Sequence, residues 1–231
     1  MDTGKKIERD PRPGSHNFFS AVPSLRSLVS FSALACSVAT SVVAAESVEV
    51  TTVRFGSARA PNGTPEPWFE TEVVLAVAPP AEGGSRFVSR VRVGLVLGWE
   101  LPAALGGSRR IDTYRAEAEC VALEVGRASV RFYLPPELVK RDQLRGPPKL
   151  WQVTLHAGGR AVPPSRAASV AALAEAAAMR AFAVAVATGA PANDSLLLPQ
   201  YLTPFASAYP RSTPSFVRRE PALLPPARAG P

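Results

Sequence analysis

Phe87-Val88-Ser89-Arg90-Val91-Arg92-Val93-Gly94-Leu95-Val96-Leu97-Gly98-Trp99 decides the fold of this chain. Phe87, Ser89, Val91, Val93, Leu95, Leu97 and Trp99 share one parity, and Val88, Arg90, Arg92, Gly94, Val96 and Gly98 share the other. A period of two is that of a β-strand, so the first set is expected to face a core and Arg90 and Arg92 to face water. The preceding stretch has the same pattern. Phe69, Thr71, Val73, Leu75 and Val77 alternate with Glu70, Glu72, Val74 and Ala76. Pro79-Pro80 and Glu82-Gly83-Gly84-Ser85 lie between them, and these residue types suit a turn rather than a ladder. The two stretches therefore read as a hairpin with a longer loop.

The pattern continues further on. Tyr114, Ala116, Ala118 and Cys120 share one parity, whereas Val121, Leu123 and Val125 share the other, which predicts a bulge or a crossing between sheets near Cys120. Ala128, Val130, Phe132 and Leu134 form another apolar row. Pro135-Pro136-Glu137 then suits a first helical turn, with a short helix after it. Trp151, Val153 and Leu155 supply a further strand. Six or seven short strands, each with one dry face, need a second layer to cover that face. The fold class is mainly β: an immunoglobulin-like antiparallel β-sandwich with a short helical insert and one Ala-rich C-terminal helix.

That helix is expected over Ser165 to Ala187, ended by Gly189 and Pro191. Glu175 and Arg180 make it a poor membrane span. The apolar run Ser195 to Phe205 is expected to dock back on the domain, and the Pro- and Arg-rich remainder to be disordered. The organisation is therefore a leader at 1–45, a sandwich at 46–164, a helix and docking segment at 165–210, and a disordered tail at 211–231.

The leader carries its own information. Arg26 precedes an uncharged run from Ser27 to Ala45 that closes on Val43-Ala44-Ala45. A basic flank, an apolar stretch and a small-residue cleavage site describe a secretory signal peptide. Cleavage would start the mature chain at Glu46, and retention would leave an anchor. The protein is thus expected to be exported, to the periplasm, outer membrane or cell surface, and to meet a membrane only through this segment. The chain has two cysteines, Cys36 and Cys120, so cleavage leaves Cys120 alone and the domain without an intramolecular disulfide.

Charge and motifs exclude several functions. The whole chain carries +7, and its arginine pairs are dispersed rather than interleaved with aromatics, so no nucleic-acid surface is predicted. The part after Ala45 has one histidine, His156, at a strand end beside a turn. A serine triad or a zinc site needs more than that. Glu70 and Glu72 read as a hydrophilic strand face, and Cys120 as a buried apolar residue. No catalytic, cofactor-binding or metal residue is assigned, and no enzyme is expected. Trp68, Trp99 and Trp151 would favour an alternative, a module binding envelope glycans or a small ligand, if they clustered in solvent. The segment Tyr201 to Tyr209 and the edge strands are the candidate contact surfaces.

The order of motifs carries a resemblance. Trp68-Phe69-Glu70-Thr71-Glu72-Val73 is followed by Arg86-Phe87-Val88-Ser89-Arg90-Val91-Arg92-Val93, and then by Arg131-Phe132-Tyr133-Leu134-Pro135-Pro136-Glu137. Gly189-Ala190-Pro191-Ala192-Asn193-Asp194 precedes Leu198-Pro199-Gln200-Tyr201-Leu202-Thr203-Pro204-Phe205. Together these resemble the Ig-like pilus-associated proteins of the Verrucomicrobia-type type IV pilus-like system, over nearly all of the chain after the leader. The resemblance implies a β-sandwich at the envelope whose partners are other proteins of a pilus-like assembly. It transfers no catalytic residue.

Overall fold

The computed structural model describes residues 48–218, apart from 62, 64, 81–84, 102–109 and 209. The expected leader, with Cys36, lies outside these residues, and so does the chain beyond 218.

Among the described residues, two four-stranded antiparallel sheets face each other. The first has the order β1 (Val48–Arg59), β2 (Pro67–Val77), β5 (Gly126–Leu134) and β8 (Leu198–Pro199). The second has the order β4 (Arg110–Glu124), β3 (Phe87–Leu101), β6 (Leu150–Ala157) and β7 (Arg160–Val162). The β1-β2-β5 and β3-β6-β7 sets take the places of the A-B-E and C-F-G strands of an immunoglobulin-like sandwich, with β4 beside β3. The expected β-sandwich is what forms.

Its core is the dry face of both sheets. Val73, Leu75, Val77, Val130, Phe132 and Leu134 meet Val91, Val93, Leu95, Leu97, Trp99, Tyr114, Val153 and Leu155, all buried. Each such aliphatic or aromatic side chain contributes about 1.5–3 kcal/mol relative to exposure. Helix α1 (Pro136–Arg141) begins with Pro136 in its first turn, as expected, and Leu138 and Val139 pack on the core. Tyr114 anchors it: the buried phenol donates to Asp142 Oδ2 over 2.6 Å.

Four features of the structure correct the sequence reading or add to it. First, β2 and β3 do not form a hairpin, because β2 pairs with β1 on one side and β5 on the other. With both ladder edges taken, the chain crosses to the other sheet at Pro79-Pro80, where two adjacent prolines cannot extend a ladder. The hairpin partner of β3 is β4.

Second, the parity of β3 reverses near its start. Val88 is buried, while Phe87 is 52% exposed. Arg90 between them and the core residues has φ 53, in the left-handed region. That kink falls between the pairs Ser89↔Ala122 and Val91↔Cys120. It also accounts for β4, where Cys120 and Leu123 are both buried but Val121 is exposed. The parity switch expected near Cys120 is real, and its seat is the partner strand.

Third, β1 contains a bulge between Val50 and Thr52. Val50 points inward before it, and Val53 and Phe55 pack on the core after it.

Fourth, the Ala-rich helix begins later and ends later than expected. Residues 166–168 and 171–173 form single 3₁₀ turns, and α2 runs from Ala176 to Asn193. Gly189 does not stop it. A Cβ there would lie 3.1 Å from Thr113 Oγ1, so the glycine allows close approach to β4. Asn193 then donates its amide to the Thr113 carbonyl over 3.2 Å. Gly98 has a related role, since a Cβ would meet the Phe182 ring at 3.2 Å. Two small residues thus seat α2 on the outer face of the second sheet. No helix among the described residues is long and apolar enough to cross a membrane.

Candidate interaction surface

The polar residues of the first sheet form a register ladder. Arg54, Glu72 and Arg131 lie directly opposite one another across β1, β2 and β5. Arg131 reaches Glu72 at 2.6 Å and Glu70 at 3.3 Å, and Arg54 reaches Glu72 at 3.4 Å. Both glutamates are therefore neutralised, and neither is left to bind a cation. Glu70 also accepts the Tyr133 hydroxyl at 3.0 Å. Nothing in spacing alone singles out Arg131; the signal is that it shares a rung with Glu72.

The second sheet spends its outer charges in the same way. Arg90 meets the buried Glu119 at 2.7 Å, and Arg92 meets Glu117 at 3.8 Å. Arg115 meets Asp194 at 3.0 Å, which holds that carboxyl below its usual range. Beside this pair is an open cleft of about 460 Å³. Gly94, Val96 and Thr154 line it together with Leu198, Tyr201 and Leu202, so an apolar interior meets a rim whose charges are paired.

The residues singled out for chemistry do not converge. His156 and Ser165 line one cavity of about 270 Å³ that has no carboxylate in its wall. Ser165 donates instead to the Val50 carbonyl at 2.7 Å. Cys120 is fully buried, and burial, reinforced by the neighbouring Glu119, pushes its thiol up to about 12. It stays protonated at neutral pH and is a poor nucleophile. Among the described residues no group of three His, Cys, Asp or Glu could hold a metal ion. The tryptophans do not cluster in solvent either. Trp99 is buried, Trp151 packs edge-on against Phe55, and Trp68 packs edge-on against Phe205.

Among the candidate contact surfaces, the Tyr201–Tyr209 segment is committed internally where it is described. Phe205 stacks on Tyr133 with centroids 4.3 Å apart. Gln200 is buried and donates to the Phe205 carbonyl. The chain then returns along the sandwich. Ser212 accepts from the Ser129 amide, Ser215 accepts from Val121, and Val217 donates to Glu119. Phe216 pairs with Cys120 and tilts against Tyr201. Residues 212–217, expected to be disordered, thus lie along the edges of β5 and β4. Exposed strand edges are templates for pairing, and here the tail covers part of two of them.

The remaining edges differ. Ser169 bridges to Gln152 and the Val170 amide donates to Trp151, so this segment closes part of β6, and β7 closes the rest. Strands β7 and β8 are three and two residues long. Strand β1 is long; on its outer edge Ser165 hydrogen-bonds to the Val50 carbonyl and the 3₁₀ turn at Arg166–Ala168 lies against the strand. From Val53 to Arg59 that edge carries no further partner among the described residues.

A crystal structure from Akkermansia muciniphila shares this architecture, with a TM-score of 0.56 over 75% of this chain and 94% of that one. The two sequences are 19% identical, so the likeness establishes the fold alone. No family model matches the sequence, and no curated protein does.

Proposed function

We propose that this chain is a noncatalytic, exported structural or interaction protein, associated with a type IV pilus-like assembly at the cell envelope. The observation that carries the reading is the ordered set of strand, helix and docking motifs that resembles the Ig-like pilus-associated proteins. The sandwich is the architecture that resemblance implies, and the structural neighbour comes from a verrucomicrobium, the group in which the resembled system is placed. The internal pairing of Glu70, Glu72, Arg90, Arg92 and Arg115 adds support, because a catalytic site needs charges aimed at a substrate. Its partners are other envelope proteins, and its place is the periplasm, the outer membrane or the cell surface. Affinity purification of the tagged chain from detergent-solubilised envelopes, with identification of what accompanies it, tests this. Pilus-like assembly proteins are expected in the eluate. An eluate without any envelope-assembly protein overturns the reading.

A further inference from the structure

We infer that the open edge of β1, Val53 to Arg59, accepts an extended strand of another protein in which apolar and acidic residues alternate. The inference rests on the proposed role in an envelope assembly and names the surface and the partner chemistry.

Three observations lead there. The first is the state of the edges. The edge of β4 is paired with the tail at Glu119 to Val121 and met by Asn193 at Thr113. Strand β5 is paired with the tail at Ser129 and with β8 at Phe132 and Tyr133. Strand β6 is paired with residues 169–170 and β7, and β7 and β8 are too short to template a partner. The open part of β1 spans seven residues, about 23 Å at strand rise. Sheets that leave such an edge usually guard it with proline, a bulge or an inward charge. The bulge of β1 lies before this stretch, between Val50 and Thr52, and no proline interrupts it.

The second observation is the core beside it. Val53 and Phe55 face inward but are only half-buried. Phe55 reaches Trp151 of the opposite sheet, with ring centroids 5.9 Å apart, and Trp151 is also half-buried. The aromatic pair thus spans the gap between the sheets on this side with part of its surface in water. A strand added to β1 would turn every second side chain toward that pair, so those side chains need to be apolar.

The third observation is charge. Arg59 ends the open stretch, Arg166 lies on the turn that follows Ser165, and Lys149 stands two residues before Trp151. All three are exposed, and none has an ion-pair partner among the described residues. Of the nearby acids, Glu66 is paired with Lys140, and Glu49 lies at the end of β1 that Ser165 covers. Two copies meeting β1 to β1 would bring like charges together. An acidic strand would meet unpaired cations.

The test uses the full chain and a short fluorescent peptide of alternating glutamate and valine. Binding is read by anisotropy, and its place by amide hydrogen exchange. The expected result is binding with new protection confined to β1 and its neighbours. A lysine–valine peptide should fail to bind, as should the glutamate–valine peptide with its backbone N-methylated. Combining Arg59→Glu, Lys149→Glu and Arg166→Glu, all surface changes, should weaken binding at least about tenfold. If that variant does not fold, the N-methylated peptide and the exchange map on the unaltered chain still decide. Equal binding of the N-methylated peptide, protection elsewhere, no binding, or self-association through β1 in sedimentation would each overturn the inference. Co-purification separates it from the proposed function. Envelope partners recovered equally by the charge-reversed chain sink the strand acceptor alone. Peptide binding without any envelope partner sinks the assembly role alone.

Discussion

The two lateral sides of the sandwich are closed by different means. On the β4–β5 side the chain returns twice. Leu197 enters the core, Leu198 and Pro199 pair with β5, and residues 212–217 run back along the strand edges. On the β1–β6 side, among the described residues, β7 pairs with one end of β6, and a short segment with Ser165, Ala168 and Ser169 closes the part next to it. One inner rung records the result. Phe132, Thr71 and Phe55 lie opposite one another across β5, β2 and β1. Phe132 and Thr71 are fully buried, whereas Phe55 is only half-buried. The same sheet therefore has a dry end and a wet end. The wet end is where, among the described residues, no later segment pairs with β1 beyond Val50.

Truncating each end of that rung gives the largest effect and the most direct way to break the contrast. Phe132→Ala leaves a cavity in a sealed core and should cost about 3–5 kcal/mol. Phe55→Ala removes a ring that water already reaches and should cost about 1–2 kcal/mol. Urea denaturation of both variants checks this, with an unchanged m-value as the sign that only stability moved. Equal costs would mean that the β1 side is as dry as the other.

The comparison also explains what the sequence could show. Alternation exposed the inner rows of β2 and β5, because the two strands pair without a break in register and one face of each is dry. It misplaced Phe87 and Val88 because one residue, Arg90, takes a left-handed backbone, which its side chain does not announce. The true partners of β2 and β3 were hidden for another reason. Periodicity gives the faces of a strand and says nothing of its neighbours. Composition failed in a third way. The alanines from Ser165 onward read as helix, yet Ser165, Ser169 and Val170 give their hydrogen bonds to β1 and β6. Edge pairing outweighs the few tenths of a kcal/mol per residue that helix propensity supplies. The Arg- and Pro-rich tail likewise holds Phe216 and Val217, which find the edge of β4. The pairing of Asp194 with Arg115 is equally silent in sequence, since 79 positions separate the two.

A smaller effect sharpens the contrast at the middle of the rung. The Thr71 hydroxyl is buried with no hydrogen-bond partner among the described residues. An unsatisfied buried hydroxyl costs about 1–3 kcal/mol, and valine has nearly the same shape. Thr71→Val should therefore raise stability by about 1 kcal/mol, read as a higher urea midpoint. A lowered midpoint would show that the hydroxyl has found a water. The route for that water would be the half-open side at Phe55, and the dry interior would then end one strand further in.

The smallest effect lies where α2 hands over to the closing segment. Asp194 caps the C-terminal end of α2, a place that disfavours a carboxylate, and Ser195 turns the chain with φ 62. Arg115 compensates through a hydrogen-bonded ion pair, and that bond is the main reason the Asp194 carboxyl titrates below its ordinary value. A carboxyl whose folded pKa is depressed stabilises the fold fully above its unfolded pKa. That contribution fades as the pH falls from the unfolded value through the folded one. The stability difference between the native chain and Asp194→Asn should thus be present at neutral pH and vanish in acid below the carboxylate range. Both side chains are about half exposed, 49% and 53%, so solvent and salt screen the pair, and the difference should stay under about 1 kcal/mol. Denaturant midpoints of both proteins, measured across that pH range at low and high salt, decide it. A difference that persists in acid would mean that Asp194 acts through its backbone turn at Ser195, and that the long closing segment is held in place by geometry without help from charge.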